Sequence, residues 1–311
     1  MPQLERSRGF QILTVSLVAP LLILACGGAE TPDVAPQEEE AASAPDPDVY
    51  LAPLTGSGSD LRIGPITNVS DRLGYDNQPA FTPDGAALLY TAADGAGQAD
   101  IMRYDLESQT AALLTQTFPE SEYSATPIPD GSGFSAIRVE ADSTQRLWRF
   151  DWEGTAVGPV LPDVAPAGYH AWSGMDHIAL FVLGDPPTLE VVAPGPGRGA
   201  VADSAIGRSL QPIPGTGKIS YVRRSGEAGM VMALNPSTGE VRPIGPTLGS
   251  GQDHGWTPAG DLLMGNGGVI HRWDPEREDW SPVAMELAFE GGISRLAVSP
   301  DGSLLAFVGS R

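Results

Sequence analysis

One phrase recurs along this chain of 311 residues: an apolar strand, a tight turn and a second apolar strand. Its cleanest copies are Leu296-Ala297-Val298-Ser299-Pro300-Asp301-Gly302, leading into Leu304 to Val308, and Ala80-Phe81-Thr82-Pro83-Asp84-Gly85, leading into Leu88-Leu89-Tyr90. Glycine closes such a turn because it accepts a positive φ without steric cost. The phrase returns with wear as Pro129-Asp130-Gly131 and as Trp256-Thr257-Pro258-Ala259-Gly260. Indexed on Gly85, Gly131, Asp176, Gly217, Gly260 and Gly302, the successive spacings are 46, 45, 41, 43 and 42 residues. Each period has room for a second hairpin, such as Ile101-Met102-Arg103-Tyr104-Asp105 followed by Ala112 to Thr115. These runs alternate and are rich in β-formers, and no long segment has helical periodicity. Four short strands in a period of roughly 40–50 residues define a β-propeller blade.

Six turns predict six blades in an all-β fold. The sixth turn lies too near the C-terminus to leave room for four strands. Asp48 to Pro53 and Arg62 to Thr67 are therefore expected to supply the missing third and fourth strands of the last blade. An unclosed ring would leave an open strand edge. The 38 glycines and 29 prolines match a turn-rich repeat fold.

The propeller is expected over residues 48–311, preceded by a segment that the repeat does not include. Residues 1–25 read as an export signal: Arg6 and Arg8, then an apolar run from Phe10 to Ala25, shorter than a membrane span. The run stops at Cys26, the single cysteine of the chain. Ile23-Leu24-Ala25-Cys26-Gly27 resembles a bacterial lipobox, which implies cleavage before Cys26 and lipid on it. Residues 26–47 are expected to be a disordered tether. Between Gly27 and Asp48 lie seven acidic residues, no Lys or Arg, and several Pro and Ala. With a single cysteine, no intramolecular disulfide holds the exported domain.

At the turns the wording becomes more specific. Gln78-Pro79-Ala80-Phe81-Thr82-Pro83-Asp84-Gly85, with Ala99-Asp100-Ile101-Met102-Arg103-Tyr104-Asp105 after it, resembles the TolB-like propeller repeat. Ala297-Val298-Ser299-Pro300-Asp301-Gly302 matches it equally well, whereas the third and fourth copies are weak. The resemblance implies a six-bladed propeller. Members of that broad group serve as binding platforms in the periplasm or cell envelope, as gating domains beside serine peptidases, and in a few cases as lyases. TolB itself carries an additional N-terminal α/β domain where this chain has the tether, so a Tol–Pal role is not implied. With Cys26 lipidated, the resemblance places the protein in the envelope. Gly27 rather than Asp after the cysteine favours the outer membrane, facing the periplasm.

Propellers bind ligands where the lead-ins to the innermost strands converge on the central channel. Here those lead-ins hold Asp76-Asn77-Gln78, Glu122-Tyr123-Ser124, Tyr169-His170, Arg208-Ser209, Asp253-His254 and Ser294-Arg295. They predict a polar pocket. Tyr169 would stack a planar ring, and Arg208 and Arg295 would grip a carboxylate or phosphate. Glu122, Asp253, His170 and His254 would add hydrogen bonds. His170, His254 and Asp253 have donor atoms suited to Zn or Mn. Two histidines on non-adjacent blades with no third clear ligand argue against that site, so no metal and no cofactor is assigned.

A formal charge of −21 argues strongly against nucleic acid as a partner. No serine-hydrolase elbow occurs, and Gly215-Thr216-Gly217-Lys218 fails as a phosphate loop because Ile219 follows it. No catalytic residue is assigned. The expected protein is a monomeric, membrane-anchored, non-catalytic platform for an envelope protein or a small polar ligand. The alternative is an enzyme at the channel mouth, a lyase or a lactonase-type hydrolase using a divalent metal or a His/acid pair.

Overall fold

The computed structural model describes residues 46–287 and 289–310. The expected export signal, Cys26 and most of the expected tether lie outside the described residues. Within them, the strands form six sheets, antiparallel throughout except for one short parallel pairing in the sixth. Five sheets are continuous in sequence. The innermost strands of these five blades are Tyr75–Phe81, Ser121–Pro127, Ala167–Ser173, Ile206–Ile213 and His254–Trp256. Each is followed by three more strands running outward, as in Ala87–Ala93, Ala99–Asp105 and Thr110–Leu113 of blade 1.

The turn phrase folds as its residues dictate. In blade 1 the Gly85 N–H donates to the Thr82 carbonyl at 2.9 Å, with Gly85 at φ +68°. The Thr82 hydroxyl and the Ala86 N–H both donate to one Asp84 carboxylate oxygen. Blade 6 repeats this with Ser299, Gly302, Ser303 and Asp301. Those hydrogen bonds hold the Asp301 carboxyl down at about 2. In blade 3 the left-handed residue is Gly174, at φ +61°, so the third copy turns on Gly174 and not on Asp176.

Blade 6 is closed from the other end of the chain, as the repeat count requires. Its inner strands are Gly292–Val298 and Leu304–Ser310, and its third is Asp48–Thr55. The latter pairs antiparallel with Leu304–Ser310 from Asp48↔Gly309 to Pro53↔Leu304. The fourth strand is not the single run expected. Arg62–Ile63 and Thr67–Asn68 pair separately with Asp48–Thr55, split at Gly64-Pro65. Ala284–Met285, on the way from blade 5 into blade 6, adds parallel to Arg62–Ile63. Asp46 and Pro47 also join the folded unit: Asp46 accepts from the Gly74 N–H at 2.6 Å, and Pro47 accepts from the Asp76 N–H at 2.9 Å.

The period-two alternation of Asp48–Thr55 decides what it buries. Tyr50, Ala52 and Leu54 pack with Leu263, Ile270 and Phe307 toward blade 5, whereas Val49 packs with Phe81, Leu88 and Tyr90 of blade 1. Tyr50 stacks on Phe307 at 5.5 Å and meets Phe289 edge-on at 4.8 Å. This one strand is therefore core to two interblade seams. A chain beginning at Gly56 is expected to lose cooperative thermal unfolding and to aggregate. One beginning at Asp46 should melt as the intact domain does in differential scanning calorimetry. Matching melting curves for the two would refute the closure.

Candidate functional site

The six innermost strands enclose a central cavity of about 300 Å³. Its walls mix small apolar residues, among them Ala80, Ala125, Ala171 and Ala297, with polar ones such as Thr126, Ser209 and Gln211. The polar groups gather at the end where the innermost strands begin, because each strand runs from that end toward its tight turn.

Arg208 donates to Asp253 in bidentate fashion, Nε to Oδ1 at 3.2 Å and Nη2 to Oδ2 at 2.7 Å. Arg295 approaches the same carboxylate from another blade, with Nε 3.5 Å from Oδ1. Arg295 Nη2 also donates to the Tyr169 hydroxyl at 3.1 Å, and its Cζ lies 4.7 Å from the Tyr169 ring centroid. Blades 3, 4, 5 and 6 thus meet through Tyr169, Arg208, Asp253 and Arg295. Burial pushes the Asp253 carboxyl up, but Arg295 and Arg208 outweigh it and hold the group below the usual range. Burial likewise pushes Arg208 down, and Asp253 more than restores it. The cluster therefore carries two positive charges and one negative, and Arg208 remains 43% exposed. Tyr75 belongs beside these groups and escaped the sequence reading. Burial raises its hydroxyl pKa while Arg295 and Arg208 oppose the rise.

Three of the expected ligand contacts serve the fold instead. Glu122 is fully buried and does not line the cavity. Both its oxygens lie within 2.7 Å of the Thr117 hydroxyl, and Arg138 stands 3.5 Å away. Burial raises its pKa. His170 and His254 lie against the cavity, yet each is tied to the preceding blade. His170 Nε2 is 2.7 Å from the Ser135 hydroxyl, which also accepts from Trp172 Nε1–H at 2.9 Å. His254 Nε2 is 2.8 Å from the Ser220 hydroxyl, which accepts from Trp256 Nε1–H at 2.8 Å. A His-x-Trp pair clasping a serine therefore joins blade 3 to blade 2 and blade 5 to blade 4. The sequence did carry the signal: the residues paired with the corresponding innermost-strand positions of the other blades are Leu89, Ala179, Leu263 and Ala306.

The clasps also test the metal reading. Both Nε2 atoms are committed to serines, both Nδ1 atoms are buried without a hydrogen-bond partner, and Asp253 is committed to two arginines. Among the described residues, no group of three or more His, Cys, Asp or Glu side chains is placed to hold a metal ion. The His170–His254–Asp253 set does not fit one.

A further feature was invisible in sequence. Gln78, Ser124 and Arg295 have φ of +59°, +57° and +52°, at the same repeat position in blades 1, 2 and 6. Each sits where the pairing of its strand slips: between Asn77 and Ala80, Tyr123 and Thr126, or Ser294 and Ala297. Non-glycine residues held in this region are strained and re-aim the chain locally. In blade 1 the strain is tied down by Gln78 Oε1, which accepts from Thr91 Oγ1 at 2.9 Å and from the Ser124 N–H at 2.8 Å.

No family model and no curated protein matches this chain. Solved structures do. A protein of Agrobacterium tumefaciens described as a candidate TolB superposes with a TM-score of 0.64 at 14% identity, covering 86% of this chain and 99% of that one. TolB from Acinetobacter baumannii gives 0.53 at 17% identity over 85% of this chain and 64% of its own, so this chain spans less than two thirds of that protein. An oligogalacturonate lyase in complex with manganese gives 0.53 at 15% identity, covering 79% of each chain. These likenesses show the fold: a six-bladed β-propeller similar to those of the TolB structures. The same fold serves TolB and an enzyme, so the fold alone does not separate a binding protein from a catalyst.

Burial holds His254 neutral, with its pKa lowered to about 4. Its contribution to stability is fully present above the unfolded value of about 6.5 and declines as pH falls toward the folded one. Asp76 opposes it. Burial raises Asp76 to about 6 despite Arg72, so its folded form takes up a proton earlier than the unfolded chain does. The informative quantity is therefore the difference between wild type and His254→Gln. That difference should shrink by about 1.4 kcal/mol per pH unit from about pH 6 to 4.5 in urea denaturation. A constant difference would mean that His254 titrates normally.

Proposed function

We propose that this protein is an envelope-anchored, non-catalytic binding platform whose channel mouth takes a small anionic ligand or an acidic side chain of a protein partner. One observation carries the reading. Arg208 and Arg295 converge at the mouth of a cavity with a single carboxylate between them, leaving net positive charge inside a strongly acidic chain. A guanidinium fork is suited to carboxylate or phosphate oxygens. The Tyr169 ring, the Tyr75 hydroxyl and the alanine-lined wall suit the body of a small polar molecule.

Anchoring follows from Cys26 at the end of the apolar run, and the acidic tether spaces the propeller from the bilayer. The likeness to TolB supports the same placement in the envelope. Growth with radiolabelled palmitate should label the wild type and not Cys26→Ser. Equal labelling would remove the anchor from the proposal.

For the mouth, a thermal-shift screen of sugar acids, dicarboxylates and acidic peptides is the direct test. Compounds that raise the melting temperature of the wild type should lose that effect in Arg208→Ala. A set of binders unaffected by Arg208→Ala would place the ligand elsewhere.

A second reading, an enzyme at the mouth, draws support from the lyase among the similar structures and from the Arg295–Tyr169 contact inside the cavity. The clasped histidines weigh against it, since a general base must be free to reach the proton it removes.

A further inference from the structure

A second cavity, of about 210 Å³, lies between blades 5 and 6. It is built from Gly58 to Arg62 and from Arg272 to Ala284, the segments that join the third strands of these two blades to their fourth. That places it at the end of the sheets opposite the Arg208 mouth. Three of the chain's 18 basic residues, Arg62, Arg272 and Arg277, line it.

Their donors are undersupplied with acceptors. Arg272 is only 14% exposed, yet its nearest carboxylates, on Asp261 and Asp274, both stand 3.6 Å away, and its one hydrogen bond goes to the Trp273 carbonyl at 3.3 Å. Arg277 is 78% exposed and reaches Asp274 only at 3.8 Å. Arg62 uses Nη1 on the Ser59 and Leu61 carbonyls and leaves its other nitrogens free. The carboxylates are meanwhile engaged by the backbone. Asp274 accepts from the N–H groups of Glu276 and Arg277, at 3.0 and 3.3 Å. Asp261 accepts from the Gly58 N–H at 3.2 Å and the Thr257 hydroxyl at 3.1 Å. Ser59 and Ser281 line the same cavity and add hydroxyl groups, and among the described residues Asp274 is the one carboxylate in the lining.

We propose that this groove is a binding site for a phosphate ester, with Arg62, Arg272 and Arg277 around the phosphate and Pro282-Val283-Ala284 against its carbon skeleton. Three guanidinium groups and two hydroxyls offer more donors than the two oxygens of a planar carboxylate accept, whereas a tetrahedral phosphate presents oxygens in several directions. The phosphate could come from a soluble ester or from a lipid headgroup. Both have the same chemistry at the arginines and differ in the acyl chains.

The test is a ³¹P NMR titration of the full-length chain in chloride buffer. The probes are glycerol 3-phosphate and dihexanoyl-phosphatidylglycerol below its micelle concentration. Saturable binding at about 1 mM or tighter is expected for at least one probe. The double variant Arg62→Ala/Arg277→Ala should weaken it by at least about tenfold with an unchanged melting temperature. Arg242→Ala, an exposed arginine of blade 4, should leave it as it was. Preference for the lipid probe would name a headgroup as the source, and preference for glycerol 3-phosphate a soluble ester. The proposal is overturned if neither probe saturates, if the double variant binds as the wild type does, or if only Arg208→Ala abolishes binding.

Discussion

The structure depends on the pairing of Asp48–Thr55 with Leu304–Ser310. Each propeller sheet has two faces to bury, and each finds its cover on the neighbouring blade. Blades 1 and 5 would each lose part of their cover if blade 6 stopped at its second strand. The N-terminal strand supplies the missing surface, with Tyr50, Ala52 and Leu54 on one side and Val49 on the other. Because it enters two seams at once, its loss is felt well beyond blade 6. With one cysteine in the chain, no disulfide can stand in for it.

Closure also explains how side chains remote in sequence come to share a site. Arg208, Asp253 and Arg295 belong to three different blades, and Tyr169 to a fourth. Nothing local holds them together. The innermost strands of all six blades converge on one axis, and that convergence sets the two arginines around one carboxylate. The remaining positive charge is a property of the ring and of no single repeat. The groove at Arg62, Arg272 and Arg277 has the same origin, since Arg62 comes from the N-terminal segment that completes blade 6.

The histidines illustrate how a repeat position can mislead. His170 and His254 occupy matching places at the channel, a pattern that fits a ligand or metal site. The structure gives them matching structural tasks. Each ties its blade to a serine one blade back, with Trp172 or Trp256 on the same hydroxyl. Burial then keeps both imidazoles neutral, with His170 lowered to about 3 and His254 to about 4. Similar position in a repeat reports similar geometry first, and shared chemistry only when the donor atoms are free. Glu122 fell to a related error: its backbone lies in a lead-in, but the alternation of the strand turns its carboxyl back into blade 2.

The sequence by itself determined the blade count, the turn chemistry of the Ser/Thr-Pro-Asp-Gly phrase and the closure by N-terminal strands. Each of these rests on local pattern and on the cost of an open edge. It also marked Tyr169, Arg208, Asp253 and Arg295 as channel residues, because position within a blade fixes distance from the axis. Tertiary structure decided which of those side chains meet, which are used up internally and where strain accumulates. Whether Asp253 is free or claimed depends on the angle between blades, and no spacing encodes that. The positive φ of Gln78, Ser124 and Arg295 is likewise imposed by strand slippage at the channel, since none of these residues prefers it on its own.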